Sequence, residues 1–127
     1  MYITIDERDG RPMYRQVVDG IKELIARGEL GQGSGLPPVR QVAADLGVNL
    51  NTIAFAYREL QKDGLIKIRH GSGAVVVSHV TGQRVEERQH AKIRAALTDL
   101  VLAGQSRSEI LAIVNKVLNT LVSDRNR

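Results

Sequence analysis

The side chains best suited to chemistry lie together in Asn49-Leu-Asn-Thr52 and continue through Ala54, Phe55 and Arg58. Carboxamides, a hydroxyl and a guanidinium can hydrogen-bond to phosphates and base edges, and apolar groups can meet thymine methyls. If this stretch is helical, Asn49, Asn51 and Thr52 stand at its start, where free backbone N–H groups also meet anions. Leu50, Asn51, Ala54, Phe55 and Arg58 then share one face. That set suits recognition of a nucleic acid and not covalent chemistry. The patterns that an enzyme needs are missing. The chain has no cysteine, which removes thiolate metal sites, iron–sulfur clusters and cysteine nucleophiles. His70, His79 and His90 lack the paired spacing of a metal site. The loop from Gly31 to Gly35 lacks the lysine and serine or threonine of a phosphate-binding loop. Ser106, Glu109 and Asp99 form no catalytic set. No metal, no cofactor and no enzymatic activity is expected.

Charge narrows the partner. The 127 residues carry a net charge of +4, a mild lean toward a polyanion. Residues 1–80 hold ten basic and nine acidic side chains, so a DNA-binding surface there must be a local patch. The acid-free stretch from Gly64 to His79 supplies Lys67, Arg69, His70 and His79. Composition is that of an ordinary globular chain, 43% apolar and 25% charged. Tyr2, Tyr14, Phe55 and Tyr57 are the only aromatics, so the core must be aliphatic. No apolar run approaches the ~20 residues of a membrane helix. Met1 to Asp6 resembles no signal peptide. A cytoplasmic protein without a membrane partner is expected.

Glycines and prolines divide the elements that must position those side chains. Pro12 opens a first helix whose apolar residues Tyr14, Val17, Val18, Ile21, Leu24 and Ile25 follow helical spacing until Gly28. Gly20 within it marks close packing. Gly31 to Pro38 is expected to be a loop, since its glycines and paired prolines suit neither a helix nor a central strand. A second helix spans about Val39 to Leu46, with Val39, Val42, Ala43 and Leu46 on one face. Gly47 and Val48 form a turn and Asn49 caps a third helix, which spans about Leu50 to Asp63 and buries Ile53, Ala56, Tyr57 and Leu60. Leu65 to Arg69 and Ala74 to Ser78 are short strands, with His70 to Gly73 as the hairpin turn. Lys67 and Arg69 alternate with Ile66 and Ile68 and so face solvent, within reach of phosphate.

A fourth helix is expected from about Arg84 to Ala103, with Ile93, Ala96, Leu97, Leu100 and Val101 in its stripe. Ser106-Arg-Ser-Glu109 is a capping box for a fifth, spanning about Arg107 to Leu121. Its Ile110, Leu111, Ile113, Val114, Val117, Leu118, Leu121 and Val122 cover more than half of the circumference. One neighbouring helix cannot cover so wide a stripe, and pairing with the same surface of a second chain can. The expected fold is mainly α with a small β-hairpin wing: an N-terminal winged helix-turn-helix over 1–78, a linker over 79–83 and two C-terminal helices over 84–127. Dimerisation is assigned to Ile93, Leu97, Leu100, Ile110, Val114, Val117, Leu118 and Leu121.

Pro12-Met-Tyr-Arg-Gln-Val-Val18, Leu36-Pro-Pro-Val-Arg-Gln-Val-Ala43, Leu46-Gly-Val-Asn-Leu-Asn-Thr-Ile53, Ala56-Tyr-Arg-Glu-Leu60 and Asp63-Gly-Leu-Ile66 with Gly71-Ser-Gly73 follow one another in unbroken order. Together they resemble the winged-helix domain of the GntR family of bacterial transcription regulators. The short two-helix tail is similar to that of its YtrA-like subfamily. The resemblance implies a homodimer that acts on a two-fold symmetric double-stranded DNA operator as a repressor. It matches Arg40 to an arginine that contacts DNA, Asn49, Asn51 and Thr52 to the polar start of the recognition helix, and His70 and Gly71 to the wing tip. Many relatives carry long polar residues at the positions of Leu50, Ala54 or Phe55, so no operator sequence is carried over. Pro38 replaces a frequent serine beside Arg40. The full DNA-facing set is Arg40, Asn49, Leu50, Asn51, Thr52, Phe55, Arg58, Lys67, Arg69, His70 and Gly71. An unidentified small-molecule effector would act at the dimer interface or near the linker. The alternative is a winged-helix module that binds another protein.

Overall fold

The computed structural model describes residues 3–70, 73–77 and 86–122. The chain divides into two compact units, residues 1–79 and 80–127. The first holds α1 (Met13–Arg27), β1 (Gly35–Leu36), α2 (Val39–Leu46), α3 (Leu50–Lys62), β2 (Ile66–Arg69) and β3 (Gly73–Val76); the second holds α4 (Glu87–Leu102) and α5 (Arg107–Leu121). The linker positions 79–83 and the wing-tip Gly71 lie outside the described residues.

In the first unit α1 and α2 both pack on α3. The apolar spacing of each helix accounts for this. Val17, Val18 and Ile21 from α1, Val42 and Ala43 from α2, and Ile53, Ala56, Tyr57 and Leu60 from α3 form one buried cluster. The sheet closes it with Leu36, Ile66, Ala74 and Val76. The core is aliphatic apart from Tyr57. Between α2 and α3 the turn needs a residue at φ 68°, which Gly47 adopts without a side-chain clash. The Val48 side chain packs against the core, and the Asn49 Oδ1 accepts the Asn51 backbone N–H at 2.7 Å, capping α3.

The sheet has three strands in the order β1-β3-β2, all antiparallel. The segment expected to be pure loop therefore contributes β1, two residues long and on an edge. Gly35 pairs with Val75 and Leu36 with Ala74, and Pro37, which has no N–H, ends the ladder. β3 is the central strand, and a side chain at its Gly73 would be strained: φ is 80°, and a Cβ there would lie 3.0 Å from the Leu36 carbonyl oxygen. Close packing at Gly20 is also real, because a Cβ there would sit 2.8 Å from Ile3 Cγ2. β2 begins at Ile66, not Leu65, and only Ile66 of its two isoleucines is buried; Ile68 faces solvent beside Lys67 and Arg69. The buried amide of Gln16 holds the N-terminal segment. Its Oε1 accepts the Asp6 N–H at 2.9 Å and its Nε2 donates to the Asp6 carbonyl at 3.0 Å.

The second unit differs in kind. Neither α4 nor α5 buries a single residue. The Ser106–Glu109 capping box forms: the Glu109 N–H donates to Ser106 Oγ at 3.2 Å and the Ser106 N–H to Glu109 Oε1 at 2.9 Å. α4 starts at Glu87, later than Arg84, after a reciprocal cap in which the Glu86 N–H donates to Gln89 Oε1 at 2.8 Å.

Candidate nucleic-acid interface

α3 buries Ile53, Ala56, Tyr57 and Leu60, and the helical repeat turns Asn51, Phe55 and Arg58 to the opposite side. Leu50 and Phe55 are each 39% exposed, far more than any apolar residue of the core. Asn49, Asn51 and Arg58 are exposed, while Thr52 and Ala54 are half-buried. The Asn49 oxygen accepts the cap of α3, which leaves its amide N–H groups free to donate to a ligand.

Two shallow depressions gather the candidate residues. Met13, Tyr14, Asn51, Thr52 and Phe55 line one, between the first turns of α1 and α3. Arg40, Arg69, Ile68 and Gly73 line the other, with Pro38, Val39 and Tyr57. The structure thus joins Arg40 of α2 to Arg69 of the wing, and Asn51 and Thr52 to Phe55. Lys67 and His70 are exposed but line neither depression.

Ion pairing separates the bases of the first unit into two groups. Arg8 pairs with Asp6, Arg11 with Asp9 and Asp19, Lys22 with Asp63 at 3.4 Å, and Arg27 with Glu29 at 3.2 Å. The Arg11 guanidinium, hydrogen-bonded to Asp9, holds that carboxyl below the usual aspartate range. Among the described residues, Arg15, Arg40, Arg58, Lys62, Lys67 and Arg69 pair with no carboxylate. Asp63, a sequence neighbour that Arg58 could have reached, is taken by Lys22. Bases whose charge is not neutralised within the chain are the ones available to displace counterions from DNA.

Three residues of this surface were not legible in the sequence. Tyr14, expected in the core stripe, is half-buried, and its ring also meets Phe55 edge-on with centroids 4.7 Å apart. Ile68 is exposed where alternation placed it inward. Gln61 accepts the Ile68 N–H on its Oε1 at 2.7 Å, so an α3 side chain satisfies one N–H on the free edge of β2 and ties the wing to the helix. Helical spacing puts Gln61 outside, but nothing local announces its partner.

Among the described residues no group of His, Asp or Glu is placed to hold a metal ion, and no helix is long and apolar enough to cross a membrane.

Residues 13–76 match the family described as bacterial regulatory proteins, gntR family. The HTH-type transcriptional repressor YtrA of Bacillus subtilis (strain 168) is 33% identical over 100 residues, covering 79% of this chain and 76% of that protein. The crystal structure of a transcriptional antiterminator from Listeria monocytogenes EGD-e superposes with a TM-score of 0.79 at 29% identity, over 98% of this chain and 96% of that one. YtrA from Sulfolobus acidocaldarius, a GntR-family transcription factor, gives a TM-score of 0.62 at 38% identity, over 76% of this chain and 97% of that one.

Proposed function

The chain belongs to the gntR family of bacterial regulatory proteins, in its YtrA-like branch, and from that premise we propose a homodimeric repressor that acts on a two-fold symmetric operator in the cytoplasm. It is a winged-helix, DNA-binding transcription regulator and not an enzyme. The winged helix-turn-helix is assigned to 1–78 and dimerisation to 84–127. In this reading α3 enters the major groove, with Asn49, Asn51, Thr52 and Arg58 at base edges or phosphates and Leu50, Ala54 or Phe55 at thymine methyls. Arg40, Lys67, Arg69, His70 and Gly71 supply contacts to the backbone and the adjacent groove. The observation that carries the reading is that Arg40 on α2, Arg58 on α3 and Lys67 and Arg69 on β2 have no carboxylate partner among the described residues.

The dimer reading rests on the tail. Ile93, Val114, Val117 and Leu118 are exposed, and Leu97, Leu100, Ile110 and Leu121 are only half-covered. An apolar surface that wide is stable in water only when covered, and a second copy covers it with two-fold symmetry. The name of the Bacillus relative supports the sign of regulation.

The test uses the full chain and duplexes enriched from a random-sequence pool. Fluorescence anisotropy should give an affinity that falls steeply with salt, and sedimentation should give a dimer. Val117→Glu with Leu121→Glu should yield monomer or aggregate and lose tight binding. Affinity indifferent to salt would favour a protein-binding winged helix, and a well-folded dimer of the double variant would remove the tail from the interface.

A further inference from the structure

Two of the chain's four aromatic residues lie together at the surface, between two arginines. The Arg15 guanidinium carbon is 5.3 Å from the centre of the Tyr14 ring. The Tyr14 and Phe55 rings meet edge to face at 4.7 Å. The Arg58 guanidinium carbon is 5.9 Å from the centre of the Phe55 ring. A ladder of cation, ring, ring and cation thus runs from the first turn of α1 to the outer face of α3. Among the described residues neither Arg15 nor Arg58 pairs with a carboxylate. Core packing accounts for one side of Tyr14. Phe55, 39% exposed, lies outside the buried core cluster.

We propose that Arg15, Tyr14, Phe55 and Arg58 form a preassembled base-reading unit in which Tyr14 is a positioning residue, holding the Phe55 ring where it meets a thymine methyl while Arg58 reads a neighbouring guanine. The proposal deepens the DNA-binding reading above and rests on it. A phenylalanine alone on a helix surface samples several rotamers, and ordering it at the moment of binding weakens the complex. Tyr14, anchored by the core, does that ordering during folding. An edge-to-face partner fixes the ring's direction, which a featureless apolar contact would not. Arg58 is held by a ring and not by a carboxylate, so its N–H donors stay free for the O6 and N7 acceptors of guanine. Arg15, at the far end of the ladder, is left to neutralise a phosphate.

The chemistry predicts sensitivity to one methyl group. Each thymine of an enriched duplex is replaced in turn by deoxyuridine, and affinity is measured for the full-length wild type, Phe55→Ala, Tyr14→Leu and Tyr14→Phe. At one or more positions the replacement should weaken wild-type binding about fourfold, the worth of one buried methyl-sized group. Phe55→Ala should abolish that penalty, Tyr14→Leu should shrink it and Tyr14→Phe should retain it. A penalty at no position, or one unchanged in Phe55→Ala, overturns the unit even if binding stays tight and salt-dependent. Equal penalties in Tyr14→Leu and wild type overturn the positioning role. If Tyr14→Leu fails to fold, Tyr14→Ile takes its place, and Phe55→Ala, at an exposed site, still decides whether Phe55 reads the methyl. Absence of any salt-dependent duplex binding by the wild type removes the DNA reading and this unit together.

Discussion

The Tyr57 phenol donates a 2.6 Å hydrogen bond to the Pro37 carbonyl. It links the buried face of α3 to the segment between β1 and α2. It adds a polar tie to the apolar packing of α2 on α3, the two elements that carry Arg40 and Asn51. Burial pushes the phenol above its ordinary value of 10.0, so it remains a donor through the neutral range.

Tyr57→Phe should therefore destabilise the first unit by about 1–2 kcal/mol, since it leaves the proline carbonyl without its donor. Urea unfolding would measure this. The pH dependence has a definite sign. Above about pH 10 the unfolded phenol ionises while the buried one keeps its proton, so stability falls as pH rises, and Tyr57→Phe should flatten that part of the fall.

Gly20 opposes Ile3, with 2.8 Å between an added Cβ and Ile3 Cγ2. In an Ile3→Ala background, Gly20→Ala should stabilise by roughly 0.5–1 kcal/mol, the helical preference of alanine over glycine. In the wild type the clash should cancel or reverse that gain. A double-mutant cycle by thermal unfolding separates the two, and equal effects in both backgrounds would contradict the contact.

Phe55→Ala should cost about 1 kcal/mol of stability, the worth of an aromatic pair. That lies well below the ~3 kcal/mol or more of a core phenylalanine. A change of core size in chemical denaturation would move Phe55 into the interior.

Arg40→Ala should leave the melting temperature nearly unchanged, because Arg40 is exposed and unpaired among the described residues. It should weaken binding to all duplexes alike and reduce the log–log salt slope by about 1. Wild-type affinity across a salt series would displace α2 from the proposed interface.

The Glu109 carboxyl lies below the usual glutamate range because the Ser106 N–H donates to it. Its cap therefore supports α5 above the unfolded pKa and weakens as pH falls through the lowered folded value. A carboxyl NMR titration should place the Glu109 midpoint below those of unbonded glutamates. Glu109→Gln, which can still accept the same hydrogen bond, should remove the pH step in α5 helicity.

What the sequence determined by itself is local in origin. The spacing of Val42 and Ala43, the Gly47 turn and the Asn49 cap fix α2 and α3 within a residue or so, because helix periodicity and caps act over neighbouring positions. The same holds for the buried set Ile53, Ala56, Tyr57 and Leu60 and for the Ser106–Glu109 box. The tertiary structure decided what depends on distant partners. Two residues carry no periodicity, so β1 exists only because β3 offers it an edge. Gln16 becomes buried because Asp6 folds back over it. Tyr14 follows the core stripe in sequence, yet the way α1 packs on α3 brings its ring to the outer Phe55, and no local pattern encodes that meeting. Gln61 likewise finds its role only when β2 leaves an N–H free seven residues away.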